Sequence, residues 1–319
     1  MSLLVSRTIT FYEEEPWRVD VFLLDERGYV NSRTARFPRR TQGFIRKWFT
    51  FQLGIHLIRI SAKYDAVAIG RYGIWLPVLL RLFRNHKPVV MMDVEWPKVK
   101  RGRLNRAAAL GSSVLCAFTR EEIDRYSRQY RIPKERFRLV RAPFEHRNLR
   151  ETSDEGFIFS GGLKGRDWET LLRAVDGLRY PVRVFSKEPL APVPSNVNVS
   201  YVCQDAFFSE MARSSLVALA VKPGPMQLTG MITWTTAMAM GKPVVVAEPL
   251  GAPDYIEHGV SGFFVDYGDA DGLRKYISLL MEDIALRQQM GEAAKQRAWQ
   301  DFSPDAFRRR ILSLLDEAE

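Results

Sequence analysis

The sequence predicts an α/β protein built from two doubly wound units, and three features lead to that class. Short, Val-rich apolar runs alternate with amphipathic stretches through most of the chain, the order expected of strands followed by helices. The runs themselves show no polar–apolar alternation, which suits strands buried on both faces of a parallel sheet. The chain is 319 residues long, enough for two domains of ordinary size. Pro143 and a polar, charged stretch after it place the boundary within 142–155.

The elements follow in order. Residues 1–5, 19–24, 66–69, 89–93, 113–118 and 137–140 read as the strands of the first half. Segment 40–60 mixes Arg and Lys with Trp48, Phe49, Phe51, Leu53, Ile55 and Leu57. It is either a helix packed on its own sheet with a basic outer face or an amphipathic helix that touches a membrane. Thr119-Arg-Glu-Glu122 is a capping box that opens a helix directly after a strand. In the second half the strands are 157–160, 182–185, 197–202, 216–221, 244–247 and 263–265, with helical patterns at 167–175 and 231–240. Ser303-Pro-Asp305 places a cap residue and then Pro at the first helical position, so a helix is expected from 304 to about 315.

Composition narrows the function classes. A chain that is 46% hydrophobic is too apolar for disorder. Its longest apolar run, 72–80, stops at Arg81, well short of the ~18 residues of a membrane span, and no signal-peptide pattern opens the chain. The two cysteines, Cys116 and Cys203, lie far apart in apolar stretches, which excludes a disulfide framework and a cysteine zinc site and suits a reducing compartment. His56, His86, His146 and His258 lack metal-ligand spacing. The net charge of +10 is unevenly spread: residues 1–150 carry 30 basic and 14 acidic side chains, residues 151–319 carry 17 and 23. The basic half suggests an anionic partner, and without a recognisable nucleic-acid motif a membrane face or a phosphate-bearing substrate is favoured over nucleic acid.

Two stretches carry the chemistry. Residues 157–172 read as strand, glycine-rich turn with two cations, then helix. A helix N-terminus exposes unpaired N–H groups and attracts phosphate. Gly161 and Gly162 would let a phosphate approach the backbone, while Lys164 and Arg166 would supply charge. The pattern is neither a dinucleotide fingerprint nor a P-loop. Residues 222–246 give a Gly/Pro loop and then a helix from near Gly230 to before Gly241. Its start lies at the carboxyl end of a strand, where ligands of open α/β sheets bind.

Taken together, Gly161-Gly-Leu, Arg166, Ala237-Met-Ala-Met-Gly-Lys-Pro-Val-Val245, Asp254-Tyr-Ile-Glu-His-Gly-Val-Ser-Gly-Phe-Phe-Val265 and Gly268-Asp269 resemble the family-4 glycosyltransferases of the GT-B fold. Met281-Glu-Asp, Leu286-Arg, Met290-Gly291 and Phe302-Ser303 follow in the family's order. The resemblance covers 157–303 closely; over 1–150 it is one of architecture. It implies two Rossmann-like domains facing a cleft: a reduced, acceptor-side domain (1–148), a nucleotide-sugar domain (149–303) and a final helix (304–319) crossing back. The implied activity is transfer of a sugar from a nucleotide-sugar donor to an acceptor hydroxyl, with retention and without a required metal cofactor. The charge asymmetry points to an anionic or membrane-borne acceptor, such as a cell-envelope polysaccharide or lipid-linked glycan, met by a cytoplasmic protein peripheral on the inner membrane face.

The resemblance also assigns roles. In the family an Arg and a Lys hold the donor diphosphate. The matching positions are Gly162 and Arg166, so Arg166 is the expected phosphate ligand, with Lys164 supplying a second cation. The family's two glutamates fall at Leu228 and Thr236, and neither is present. Gly230-Met-Ile-Thr233 resembles a Gly-x-x-Thr segment found in a subset of relatives. Thr229, Gly230, Met231, Thr233 and Thr236 are therefore expected donor-binding residues beside Gly161 and Gly162. Asp93 and Glu95 stand where the family often has a His and could orient an acceptor hydroxyl or act as base; the alternative is pairing with Arg101 or Arg103. His258 falls in the family's structural turn. The missing glutamates also leave open a non-catalytic nucleotide-sugar binder or a partner subunit.

Overall fold

The computed structural model describes residues 2–7, 20–25, 42–69, 75–82, 88–91, 102–162, 165–224, 230–248 and 250–317. The chain divides into two compact units, Met1–Val140 with Phe307–Glu319, and Arg141–Ala306. The first holds β1 (Ser2–Arg7), β2 (Asp20–Asp25), α1 (Gln42–Ser61), β3 (Ala66–Ile69), α2 (Trp75–Leu82), β4 (Val89–Met91), α3 (Gly102–Gly111), β5 (Val114–Ala117), α4 (Arg120–Tyr130) and β6 (Phe137–Leu139). The second holds β7 (Ile158–Gly161), α5 (Trp168–Val175), β8 (Val182–Phe185), β9 (Val197–Ser200), α6 (Gln204–Arg213), β10 (Leu216–Ala220), α7 (Met231–Ala239), β11 (Val244–Ala247), β12 (Phe263–Val265), α8 (Ala270–Glu282) and α9 (Ile284–Asp301). The last helix, α10 (Pro304–Asp316), groups with the first unit from Phe307 onward.

Each unit is built on a six-stranded sheet in which every strand pairing is parallel. In the first the strand order is β2-β1-β3-β4-β5-β6; in the second it is β12-β11-β10-β7-β8-β9. Counted from its own first strand, the second sheet runs 3-2-1-4-5-6 and reverses direction between β7 and β10. The first reverses between β1 and β3. Such a reversal leaves a crevice outside the carboxyl ends of two adjacent strands.

The apolar runs become strands because both faces of each sheet are covered. Every residue of β3, β5, β7, β10 and β11 is buried. The edge strand β9 is only partly covered and ends at Ser200, two residues before the apolar run does. The helix starts follow their sequence signals. Thr119 accepts from Glu122 N–H, as in a capping box, while the Glu122 carboxylate reaches one residue past the cap and accepts from Phe118 N–H. Asp167, Asp269 and Asp283 cap α5, α8 and α9, and Ser303 accepts from Ala306 N–H at the start of α10. In α1, Leu53 and Leu57 are fully buried in the core of the first unit, and Phe51 meets Trp75 edge-on at 5.1 Å. Lys47, Trp48, Ile55 and Arg59 face solvent. Cys116 is buried in β5, and burial pushes its thiol up to about 12. Cys203 is exposed ahead of α6 rather than buried in its apolar stretch, because the neighbouring strand is an uncovered edge.

A polar lock built on the buried Lys242 and Arg287 closes the amino-terminal side of the second unit. Lys242 donates through Nζ to Ser153 O and Ser214 O, the latter at 2.7 Å. Arg287 reaches Asp154 through Nη2 at 2.9 Å and Nε at 3.2 Å, and Ser215 donates to the same carboxylate. Burial opposes the Asp154 charge, but hydrogen bonds from Ser215, Gly156 N–H and Arg287 hold its carboxyl below the usual range. Burial also lowers Lys242 to about 8 from its ordinary 10.5. A Lys whose folded-state value is depressed binds its proton more weakly when folded, so stability rises with pH between those two values and is flat below the lower one. The neutral amine keeps two N–H groups for its two carbonyl partners. Wild type should therefore gain stability relative to Lys242→Met as pH rises from about 8 to about 10, measured by urea unfolding; a pH-independent difference would place the Lys242 charge in solvent.

Candidate functional site

The glycine turn after β7 delivers one side chain to the reversal between β7 and β10. Arg166 lies in a short antiparallel bridge with Val221, flanked by Lys222 N–H donating to Gly165 O and Asp167 N–H donating to Ala220 O, both at 2.9 Å. Segment 165–167 is thus stitched to the end of β10, and Asp167 then caps α5. The Arg166 side chain, 7% exposed, donates from Nε to Gly161 O at 2.8 Å and from Nη2 to Thr233 Oγ1 at 3.2 Å. Burial lowers it to about 10, so it stays a cation at neutral pH.

Two glycines make room for that guanidinium. A Cβ on Gly162 would sit 2.1 Å from Arg166 Nη2, and one on Gly230 would sit 3.0 Å from Nη1. Both glycines hold positive φ, +143° and +92°, where side chains are strained. Gly230 is also the N-cap of α7 and provides no side-chain cap, unlike Thr119, Asp167, Asp269 and Asp283. The Thr233 amide donates to Gly230 O at 2.9 Å, and Gly230 offers no side chain to the amides of Met231 and Ile232 ahead of it. These amides lie beside a buried cation, an arrangement whose chemistry suits an anion.

α7 has almost no polar face: every residue except Ile232 is buried. Thr235 returns its hydroxyl to Met231 O at 2.8 Å. The Thr236 hydroxyl and the Trp234 indole N–H are buried with no hydrogen-bond partner among the described residues. The sequence-derived site residues therefore separate. Gly161, Gly162, Arg166, Gly230 and Thr233 come together, with Met231 opening the helix, while Thr236 lies one turn deeper inside the unit. Lys164, Thr229, Asp93 and Glu95, with the Leu228 and Arg101 positions, lie outside the described residues. His258 accepts from Phe264 N–H through Nδ1 at 3.3 Å and meets Tyr276 Oη through Nε2 at 3.2 Å, an arrangement that shapes the turn before β12. Among the described residues no three His, Cys, Asp or Glu side chains are placed to hold a metal.

One residue of the same rim escaped the sequence reading. Glu248, directly after β11, is 1% exposed. Its carboxylate accepts from the amides of Leu250 (3.2 Å), Gly251 and Ala252 (both 2.8 Å) and from Tyr267 Oη (2.7 Å). It is an internal anion that organises the loop at the carboxyl ends of β11 and β12. Its signal was present: a carboxylate between an all-apolar strand and a glycine turn.

Residues 231–297, which begin at α7, match the family of Glycosyl transferases group 1. The chain is 33% identical over 66 residues to N-acetyl-alpha-D-glucosaminyl L-malate synthase of Bacillus anthracis, a match spanning 21% of this chain and 17% of that protein. It is 34% identical over 80 residues to the amylovoran biosynthesis glycosyltransferase AmsK of Erwinia amylovora, spanning 25% and 20%. The matches thus cover about a fifth of those relatives' length. The whole chain superposes on Anabaena Alr3699/HepE in complex with UDP with a TM-score of 0.68 at 16% identity, covering 99% of this chain and 100% of that one. The fold is that of the GT-B glycosyltransferases, two parallel α/β units spanning the chain.

The slot depends on the absence of two Cβ atoms. Gly162→Ala should destabilise the chain by about 1–3 kcal/mol through strain and displacement of Arg166. Gly156→Ala, at φ +75° with nothing within 4 Å of the added carbon, should cost only the backbone share, about 1 kcal/mol. Urea unfolding of the pair checks this; equal losses would show that Arg166 does not fill the space.

Proposed function

We propose that the chain is a glycosyltransferase that transfers a sugar from a nucleotide-sugar donor to an acceptor hydroxyl. The observation that carries this reading is the buried Arg166 guanidinium, held between Gly161, Gly162, Gly230 and Thr233 beside the uncapped start of α7. That HepE has also been solved with UDP-glucose, at a TM-score of 0.65, supports a donor of this kind, and the group 1 match over 231–297 supports the reaction class.

The chemistry follows from charge. When the bond between sugar C1 and the donor phosphate oxygen breaks, its electron pair stays on the diphosphate. In this reading Arg166 and the amides of Met231 and Ile232 face that developing charge, and the burial of Arg166 supports a preorganised role. We propose transfer with retention: the acceptor oxygen bonds to C1 on the face the phosphate leaves, and its proton passes to the departing phosphate oxygen. Such a route needs no protein base, only positioning, so Thr236 in place of a glutamate is compatible with turnover. Positive charge from Arg166 lets the reaction proceed without a metal cofactor. The basic first half favours an acceptor that is anionic or membrane-borne.

Arg166→Ala should weaken nucleoside-diphosphate binding by about 1.5–3 kcal/mol, the scale of a charge-assisted hydrogen bond, with Arg166→Lys losing less. Calorimetry with UDP measures this, after a thermal-shift screen of UDP-, GDP-, ADP- and dTDP-sugars has identified the donor that stabilises the folded chain. Unchanged affinity in Arg166→Ala would move the phosphate site elsewhere. Binding without donor hydrolysis or transfer would favour a non-catalytic nucleotide-sugar binder.

A further inference from the structure

We propose that the groove between α2 and α3 holds the phosphate group of an anionic lipid and seats the first unit on a membrane surface; this rests on the reading of the acceptor as membrane-borne and gives that reading a place. The groove has a volume of about 330 Å³ and is lined by Val78 and Arg81 of α2 and by Arg103, Arg106, Ala107 and Leu110 of α3. The two helices meet tightly at one end, where a Cβ on Gly111 would lie 2.3 Å from Pro77 O. From there Val78 and Arg81 face the earlier residues of α3, and the groove opens between them.

Its chemistry is one-sided. Neither α2 nor α3 contains an Asp or Glu, and among the described residues none of the three arginines forms an ion pair. Arg106 is steadied by donating from Nε to Tyr130 O at 3.1 Å, which directs the rest of its fork away from that carbonyl. Three guanidiniums on one small groove repel one another until an anion joins them. Arginine suits phosphate because it can hold two oxygens at once. The floor of Val78, Ala107 and Leu110 is apolar, and Leu82, next to Arg81, is 71% exposed. An apolar floor with an exposed Leu at its edge fits a phosphate that continues into glycerol and acyl carbon better than a nucleic-acid backbone, whose bases would need aromatic platforms.

The test uses the full chain and vesicles of phosphatidylcholine with or without phosphatidylglycerol, read by co-sedimentation. Wild type should bind only the anionic vesicles. The triple variant Arg81→Gln, Arg103→Gln, Arg106→Gln should partition about a hundredfold less, the effect of three cations at an anionic surface. Arg59→Gln, an exposed cation on α1 outside the groove, should leave partition nearly unchanged. Leu82→Asp should weaken binding without altering UDP affinity. Equal binding by the triple variant would overturn the proposal, as would an equal loss in Arg59→Gln, which would mean diffuse attraction. Binding of glycerol phosphate or of duplex DNA at the same arginines, without vesicle capture, would also overturn it. UDP binding by each variant reports separately on the fold and on the donor site, so a failed donor assignment leaves the vesicle result readable.

Discussion

The second unit is organised around one steric constraint: a guanidinium occupies a slot that exists only because two neighbouring backbones lack a Cβ. Arg166 lies against Gly161 and Gly162 on one side and against Gly230 and Thr233 on the other. Those groups belong to the ends of β7 and the start of α7, which are far apart in sequence. They meet because β7 and β10 are hydrogen-bonded neighbours in a sheet whose connections diverge from that pair. The parallel order puts the site there, and the short bridge of Arg166 with Val221 fixes its depth.

α7 turns this slot into a rigid feature. It is buried nearly all round, which a helix achieves only in the middle of a packed unit. Its far end is held closely: the turn at Gly241 has φ +75°, and a Cβ on Gly291 of α9 would come within 2.3 Å of Gly241 O. The next residue, Lys242, is hydrogen-bonded to two carbonyls of the polar lock. The helix is thus pinned at its carboxyl end, while among the described residues no side chain caps its amino end. On the neighbouring rim the corresponding task falls to a protein carboxylate, Glu248, which satisfies three backbone amides itself. One loop is closed by an internal carboxylate, whereas among the described residues the helix start beside Arg166 has no side-chain cap, a difference that suits it to an external anion.

Much of this was legible in the chain. The strands at 66–69, 182–185, 244–247 and 263–265 fall where Val-rich runs predict them, because a strand buried on both faces leaves no other composition possible. The capping box at Thr119 and the Ser303 cap are local chemistry and could be read locally. Strand order could not be read in this way, since every buried parallel strand looks alike. The depth of Thr236 depends on helix phase within a unit buried on all sides, where periodicity carries no signal. The partners of Lys242 could not be read because they are backbone carbonyls distant in sequence, Ser153 O and Ser214 O, whereas Glu248 is met by the amides two to four residues after it, a local arrangement that its place before a glycine turn could have signalled.

The geometry also links the two positions at which this stretch departs from the pattern of the family it resembles. The resemblance places an Arg at 162 and a Lys at 166. Here the residue at 166 is Arg, and its planar head folds back to Gly161 O and fills the volume that any side chain on 162 would enter. A side chain at 162 would therefore require the forked cation at 166 to move, so glycine at 162 and this placement of Arg166 go together. The hydroxyl of Thr233 belongs to the same exchange. It accepts from Nη2 and fixes the rotation of the guanidinium plane, a task a Lys ammonium does not impose because it has no plane to orient. Gly162, Arg166, Gly230 and Thr233 form one coupled solution to holding a cation at the strand reversal, and none of the four can be changed without altering the space or the partner that another requires.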